Sequence, residues 1–182
     1  MSELTNTADE KTLVVMGVSG VGKTSVARAL SLALPAHYIE ADDFHPSANI
    51  EAMRAGTPLT DDMRYPWLRA VAAEIKATHA ARPRGNVVIA CSALKKSYRE
   101  ILRAGNENTI FIHLSAERSV ISARLSSRKG HFMAATLLDS QCATLEPPSG
   151  GENFVDIDVS NPLPDVVAET IRRLQAACPP IG

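Results

Sequence analysis

Hydrophobic positions along this chain fall into two alternating rhythms. Leu13-Val14-Val15-Met16 is a short apolar run ending in glycines, and from Thr24 to Leu34 the apolar residues Val26, Ala29, Leu30 and Ala33 recur at helical spacing. The order is strand, glycine loop, helix. Tyr38-Ile39 reads as a second strand running into a polar stretch from Asp42 through Asn49. Helical patterns follow over Ile50 to Ala55 and Trp67 to Thr78, punctuated by Pro58 and Pro66. Asn86 to Cys91 is the continuous apolar run of a strand buried on both faces, and Leu94 to Arg103 after it is helical. Thr109 to Leu114 and Ala116 to about Arg128 repeat that pair. Lys129 to Gly151 shows few regular features and ends in Pro147-Pro148-Ser149-Gly150-Gly151, a loop signal. Phe154 to Ile157 is a last strand and Pro164 to Ala177 a last helix.

Strands alternating with helices predict right-handed crossovers and a parallel sheet of five strands covered on both faces, a three-layer α/β fold. Ligands of such sheets bind beyond the carboxyl ends of the strands. The segments after Met16, Ile39, Cys91 and Leu114 are therefore expected to converge on one site. At 182 residues the chain fits one domain, residues 1–182, with normal globular composition: 45% hydrophobic and 21% charged.

Charge and cysteine usage narrow the partners. Lysine plus arginine total 19 against 20 acidic residues, so a formal net charge of -1 gives no electrostatic case for nucleic acid or an anionic membrane. Apolar runs of five or six residues fall far short of the roughly 20 that span a bilayer. The first eleven residues lack the basic-then-apolar order of a secretory signal, which makes the cytoplasm the expected compartment. Cys91, Cys142 and Cys178 are an odd count without a Cys-x-x-Cys pair, and no two histidines share a His-x-x-x-His spacing. That pattern favours packing cysteines over a disulfide framework or a zinc site.

Gly17-Val18-Ser19-Gly20-Val21-Gly22-Lys23-Thr24 fits G-x-x-x-x-G-K-[ST] between a strand and a helix. Glycines let backbone N–H groups wrap a β-phosphate at a helix N-terminus, whose dipole favours anions. In this pattern Lys23 bridges β- and γ-phosphates and Thr24 offers its hydroxyl to Mg²⁺, so ATP with Mg²⁺ is the expected pair. Two absences sort the nucleotide-binding classes. No Asn-Lys-x-Asp segment reads guanine, and the third strand ends in Cys91-Ser92 rather than in an aspartate. Glu40-Ala41-Asp42-Asp43-Phe44-His45-Pro46 instead places acids beyond the second strand, where a carboxylate can orient an acceptor hydroxyl towards the γ-phosphate. Strand alternation puts Glu40 and Asp42 on one side and Asp43 on the other. The competing reading is an Asp-rich turn capping the next helix.

Asp42-Asp43-Phe44-His45-Pro46, Asn49-Ile50, Pro58-Leu59, Asp61, Arg64, Pro66-Trp67-Leu68, Cys91-Ser92-Ala93-Leu94-Lys95-Lys96 and Gly130-His131-Phe132 together resemble the thermoresistant-type gluconokinases, over about Leu13 to Leu174. The resemblance implies ATP-dependent phosphorylation of D-gluconate at its 6-hydroxyl, a fold related to shikimate and nucleoside monophosphate kinases, and a homodimer. Two positions depart from that family's pattern: Glu40 stands where aspartate is more frequent, and Met63 where an acid usually precedes the arginine.

Gluconate is a carboxylate bearing five hydroxyls, so its site needs a cation at one end and hydrogen-bonding groups along its length. Arg64, His45, Lys95 and Ser92 are the candidates, with Asp42 at the reacting hydroxyl, in an acceptor segment of about residues 42–82. Arg64 has an exposed-arginine alternative, Lys96 reads as solvated, and Trp67 reads as core. Arg124 and Arg128, four apart on one helical face, resemble the lid of nucleoside monophosphate kinases, where one arginine stacks on adenine and the next clamps the phosphates. A solvated basic stripe is the bland alternative, the lid spans about residues 124–151, and His131 is open between capping its helix and touching substrate. Lys23, Asp42 and Arg128 are the expected catalytic residues; residues 17–24 with Arg124 are expected to bind the nucleotide. The competing functions are another small-molecule kinase of this fold, shikimate-like or nucleotide-directed, and a non-catalytic ATP-binding regulator.

Overall fold

The computed structural model describes residues 10–83, 85–127 and 134–177. Its centre is a sheet of five parallel strands: β1 (Thr12–Met16), β2 (Ala36–Glu40), β3 (Asn86–Ala90), β4 (Thr109–Ser115) and β5 (Phe154–Asp158), in the order β2-β3-β1-β4-β5. The central strand β1 is buried at every position, pairing Val14 with Ile89 on one side and with Phe111 on the other. Both faces are covered, which is why these strands read as unbroken apolar runs.

Alternate residues feed two cores. Leu13, Val15, Val88, Ile110 and Ile112 face α1 (Lys23–Ala33) and α7 (Leu163–Ala177), meeting Leu30 and Val166. Val14, Met16, Ile89 and Phe111 face α3 (Asp61–Ala81) and α4 (Lys96–Arg103), meeting Trp67, Val71, Ile75 and Leu102. Burying each such side chain is worth about 1.5–3 kcal/mol. The remaining helices, α2 (Ser47–Arg54), α5 (Arg118–Ser126) and α6 (Ala134–Thr144), flank the carboxyl ends of the strands.

The three-layer α/β expectation stands, with differences at particular elements. Pro66 does not interrupt a helix: α3 runs through it, because Thr60 caps the first turn by accepting from Met63 N at 3.3 Å. The carbonyl that Pro66 cannot reach belongs to Asp62, an exposed residue near the helix start. Residues 129–151 are not featureless, since α6 occupies 134–144. The extended segment expected through Asp42 ends at Glu40, and a 3₁₀ turn, Ala41–Phe44, replaces it, so strand alternation does not set the direction of Asp42 or Asp43.

Candidate functional site

The strand order reverses between β1 and β3: the connection leaving β1 runs to the edge strand β2 on one side, whereas the one leaving β3 crosses over β1 to β4 on the other. A crevice opens there. The loop from Gly17 to Gly22 leaves β1 into this crevice, and α1 begins at Lys23. Gly17 and Gly20 are required on two grounds: their φ values are +138° and +82°, and a Cβ would stand 2.8 Å from the Leu114 carbonyl oxygen and 2.6 Å from Leu125. The loop is thereby pressed against β4 and α5.

Side chains around the loop are already engaged. Lys23 Nζ donates to the Val18 carbonyl at 3.0 Å. Thr24 Oγ1 donates to Glu40 Oε2 at 3.0 Å, and Tyr38 donates to the same oxygen at 2.5 Å. Burial, reinforced by that carboxylate, pushes the Tyr38 hydroxyl up to about 12. Gln141 of α6 reaches across to accept from Ser19 N at 2.6 Å. Thr24 and Glu40 are hard oxygen donors of the kind that suits Mg²⁺ alongside phosphate oxygens. No group of three or more His, Cys, Asp or Glu residues among those described forms a metal cage.

A cleft of about 210 Å³ joins this loop to the second-strand acids. Ser19, Lys23, Asp42, His45, Arg64 and Ser92 all line it, and Met53 and Leu59 form part of its apolar wall. Six residues singled out from sequence, from four separate segments, therefore meet in one volume. Asp42 projects from the 3₁₀ turn; the surrounding walls raise its carboxyl above the usual range, against the pull of Lys23, while its 77% exposed side chain leaves solvent to limit that rise. His45 stacks on Trp67 with ring centroids 4.1 Å apart, and Trp67 Nε1 donates to the Ala41 carbonyl at 2.7 Å. Burial, helped by the Arg64 charge, pushes His45 down to about 4, so its ring is neutral at pH 7. Trp67 is thus both core and the floor under a cleft residue. Ser92 is presented by a strained turn: the next residue, Ala93, is fully buried with φ +46°.

Lys95 is placed differently. Its ammonium grips both oxygens of Asp61, at 2.9 and 2.8 Å, and it does not line the cleft. Tyr98 donates to that same Asp61, and Arg64 Nη1 donates to the Tyr98 hydroxyl at 3.4 Å. Lys95 thereby connects to Arg64 through Asp61 and Tyr98, neither of which was given a role from sequence. The hydrogen bond from Lys95 pulls the Asp61 carboxyl down. Asp43 lies outside the cleft lining.

Arg124 lines a second hollow, about 270 Å³, with Gly20, Gly22, Ser127, Val159 and Asn161. It donates to the Val21 carbonyl at 3.2 Å and to that of Val159 at 2.5 Å, tying α5 to the loop. Arg128, Gly130, His131 and Phe132, like Cys178, lie outside the described residues. A larger hollow of about 420 Å³ beside α4 mixes Lys96 and Arg103 with Glu100 and Glu107 and contains no candidate residue. No described helix is long and apolar enough to cross a membrane.

Known proteins with this sequence pattern agree with one another. The family model described as shikimate kinase matches residues 19–139. The thermoresistant gluconokinase of Escherichia coli K12 is 45% identical over 174 residues, covering 94% of this chain and 97% of the relative. The gluconokinase of Gluconobacter oxydans 621H is 46% identical over 169 residues, 90% of this chain and 91% of the relative. Among solved structures, a gluconokinase from Sinorhizobium meliloti 1021 superposes with a TM-score of 0.82 at 42% identity, covering 92% of this chain and 93% of that one. An APS kinase of Mycobacterium tuberculosis, 17% identical with a TM-score of 0.66 and covering 92% of this chain and 98% of that one, shares the fold.

Proposed function

The chain belongs to the gluconokinase family, and from that premise we propose how its residues divide the transfer of a phosphoryl group from ATP to D-gluconate. One observation carries the reading: a single cleft holds the phosphate-loop Lys23 and Ser19 at one end and Asp42, His45, Arg64 and Ser92 at the other. A donor phosphate and a polyol acid fit those two ends.

Phosphoryl transfer demands little covalent work from a protein; positioning and charge balance do most of it. Arg64 holds the gluconate carboxylate in a charge-assisted pair, oriented from behind by Tyr98, Asp61 and Lys95. Its reach along the cleft sets the far end of the chain, the 6-hydroxyl, beside Asp42. Asp42 accepts that proton, and its raised affinity for protons suits the task. Ser92 and His45 contact hydroxyls of the acceptor. Lys23 balances charge on the transferring phosphoryl oxygens. Thr24 and Glu40 would hold Mg²⁺, which would supply charge neutralisation at the phosphates.

Residues 124–151 serve as the lid, Arg124 against the nucleotide base and Arg128 against the phosphates, excluding water until gluconate is seated. Residues 42–82 supply the acceptor wall within one domain. The enzyme works as a cytoplasmic homodimer, for which light scattering on the purified chain is the check. A coupled ADP-release assay over sugar acids, shikimate and nucleoside monophosphates tests the substrate. Turnover with gluconate far above the rest is the expected result; ADP release driven only by shikimate or a nucleotide overturns it, and ATP binding with no turnover points to a regulator.

A further inference from the structure

Asn49 sits on α2, only 3% exposed, yet it lines no cleft and touches no reacting group. Its amide nitrogen is 3.0 Å from the Met63 carbonyl oxygen and 3.1 Å from His45 Nδ1. These contacts decide a question that heavy-atom positions ordinarily leave open. The Met63 carbonyl can only accept, so the side of the Asn49 amide that faces it must be NH₂; a flipped amide would press two acceptors together at that distance. The same NH₂ therefore donates to His45 Nδ1, which must be an unprotonated acceptor. In a neutral ring the proton then belongs on Nε2.

The ring has no freedom to escape this assignment. Trp67 lies flat under it at an interplanar angle of 17°, the His45 side chain is 4% exposed, and burial disfavours the imidazolium. The charged groups that face it are Asp42 and Arg64. His45 Nε2 stands 3.8 Å from Asp42 Oδ1, too far for a direct hydrogen bond. One hydroxyl oxygen fits at about 2.8 Å from both atoms.

Resting on the gluconokinase reading, we propose that Asn49 is a positioning residue: it locks His45 as the neutral Nε2–H tautomer, so that His45 and Asp42 bracket one acceptor hydroxyl, His45 donating to its oxygen and Asp42 accepting its proton. The pair reads a hydroxyl in both senses, since an ether oxygen satisfies only the His45 donor and a deoxy carbon satisfies neither group. Met63 enters through its main-chain carbonyl, so the loss of an acidic side chain at that position does not disturb the lock.

Histidine ¹⁵N spectra of the intact protein test the lock without any substrate, the His45 signals being identified by their loss in His45→Gln. The expected pattern at pH 7 is a protonated Nε2 and an acceptor Nδ1, unchanged at pH 5.5; an Nδ1–H tautomer, a mixture, or a ring charged at pH 7 overturns the proposal. Kinetics supply the second arm. Asn49→Ala should raise the gluconate KM about tenfold, the loss of one oriented hydrogen bond, with the ATP KM within about twofold. In a His45→Ala background the same change should add less than about twofold, because the residue that the proposal has Asn49 position is gone. Full additivity of the two substitutions overturns the positioning role. A wild-type protein that ignores gluconate would instead overturn the functional reading, and the spectra would still decide the tautomer.

Discussion

At the proposed phosphate end of the cleft, the consecutive residues Gly17 to Thr24 form the loop after β1 and the start of α1, with Gly17, Gly20 and Gly22 at positive φ. At the acceptor end, Asp42, His45, Arg64 and Ser92 arrive from the 3₁₀ turn and its exit, the first turn of α3 and the end of β3. Each is then held by residues that touch no substrate: Asn49 and Trp67 for His45, Tyr98 and Asp61 for Arg64. Backbone recognition of an anion is compact and local; recognition of a polyol needs many directed side chains, each with its own support. Damage should follow the same division, all-or-none at the phosphate end and graded at the acceptor end.

The largest effect is expected where the two ends meet. Lys23→Ala should lower kcat by about 10² to 10³, since it removes the loop's own ammonium from the transferring oxygens. Asp42→Asn keeps the size of the side chain and much of its hydrogen bonding but cannot take a proton. It should cut kcat about 100-fold with ATP affinity unchanged and an intact circular dichroism spectrum. Asp43→Asn, outside the cleft, should stay within about threefold in the same assay. Reversed severity would hand the proton to Asp43; activity in both would leave catalysis to positioning alone.

Arg64 sharpens the contrast between direct and supporting residues. Arg64→Ala should raise the gluconate KM about 10- to 100-fold, the worth of a charge-assisted pair, and leave the ATP KM near its original value. Lys95→Ala acts through Asp61 and Tyr98 and should raise the gluconate KM by a smaller factor, about fivefold. Steady-state kinetics on both variants decide it: a larger effect at Lys95 would place the substrate carboxylate there.

The same division explains what was legible in the sequence. The loop from Gly17 to Thr24 and the strands β1, β3 and β4 were readable because their information is contiguous: glycines at fixed offsets, or a run buried on both faces. The edge strand β2, where Ile39 alone is fully buried, showed only as Tyr38-Ile39. The helix α6 was missed because it straddles the two cores weakly, although Leu137, Leu138, Gln141 and Leu145 recur at helical spacing and gave a usable signal. The acceptor-end residues were nameable from their resemblance to gluconokinases, but Asn49, Tyr98 and Asp61 were not assigned supporting roles, since contacts such as Tyr98 with Asp61 span 37 positions. Lys95, a substrate-contact candidate from its place four residues after the third strand, lies outside the cleft lining, since adjacency to Ser92 in sequence says nothing of which way the chain turns it.

Histidine 45 links the acceptor end to stability. Its folded pKa of about 4 lies below the unfolded value of 6.5, so the unfolded chain takes up the proton first as pH falls. Stability from this group is full above about pH 6.5 and declines between there and pH 4. Between pH 7 and 5.5 the loss should be about 1 kcal/mol, read by urea unfolding, and His45→Gln should remove that part of the pH dependence. A slope unchanged in His45→Gln would move the effect to His79, which burial also holds below its usual range.

The smallest effect tests how the phosphate end is kept when no phosphate is there. Gln141 Oε1 accepts from Ser19 N at 2.6 Å, so a neutral carbonyl oxygen from α6 uses an N–H of the anion-binding loop. A phosphate oxygen and this side chain compete for the same donor, and the exchange costs ATP one hydrogen bond's net worth. Gln141→Ala should therefore lower the ATP KM about threefold while leaving the gluconate KM unchanged. Gln141→Glu should act in the opposite sense, raising the ATP KM about tenfold, because a carboxylate binds the N–H more tightly and repels the incoming phosphates. Isothermal titration with a non-hydrolysable ATP analogue reads both directions without turnover. If Gln141→Ala weakened nucleotide binding instead, Gln141 would be a partner of the bound nucleotide, and the phosphate end would depend on a distant side chain just as the acceptor end does.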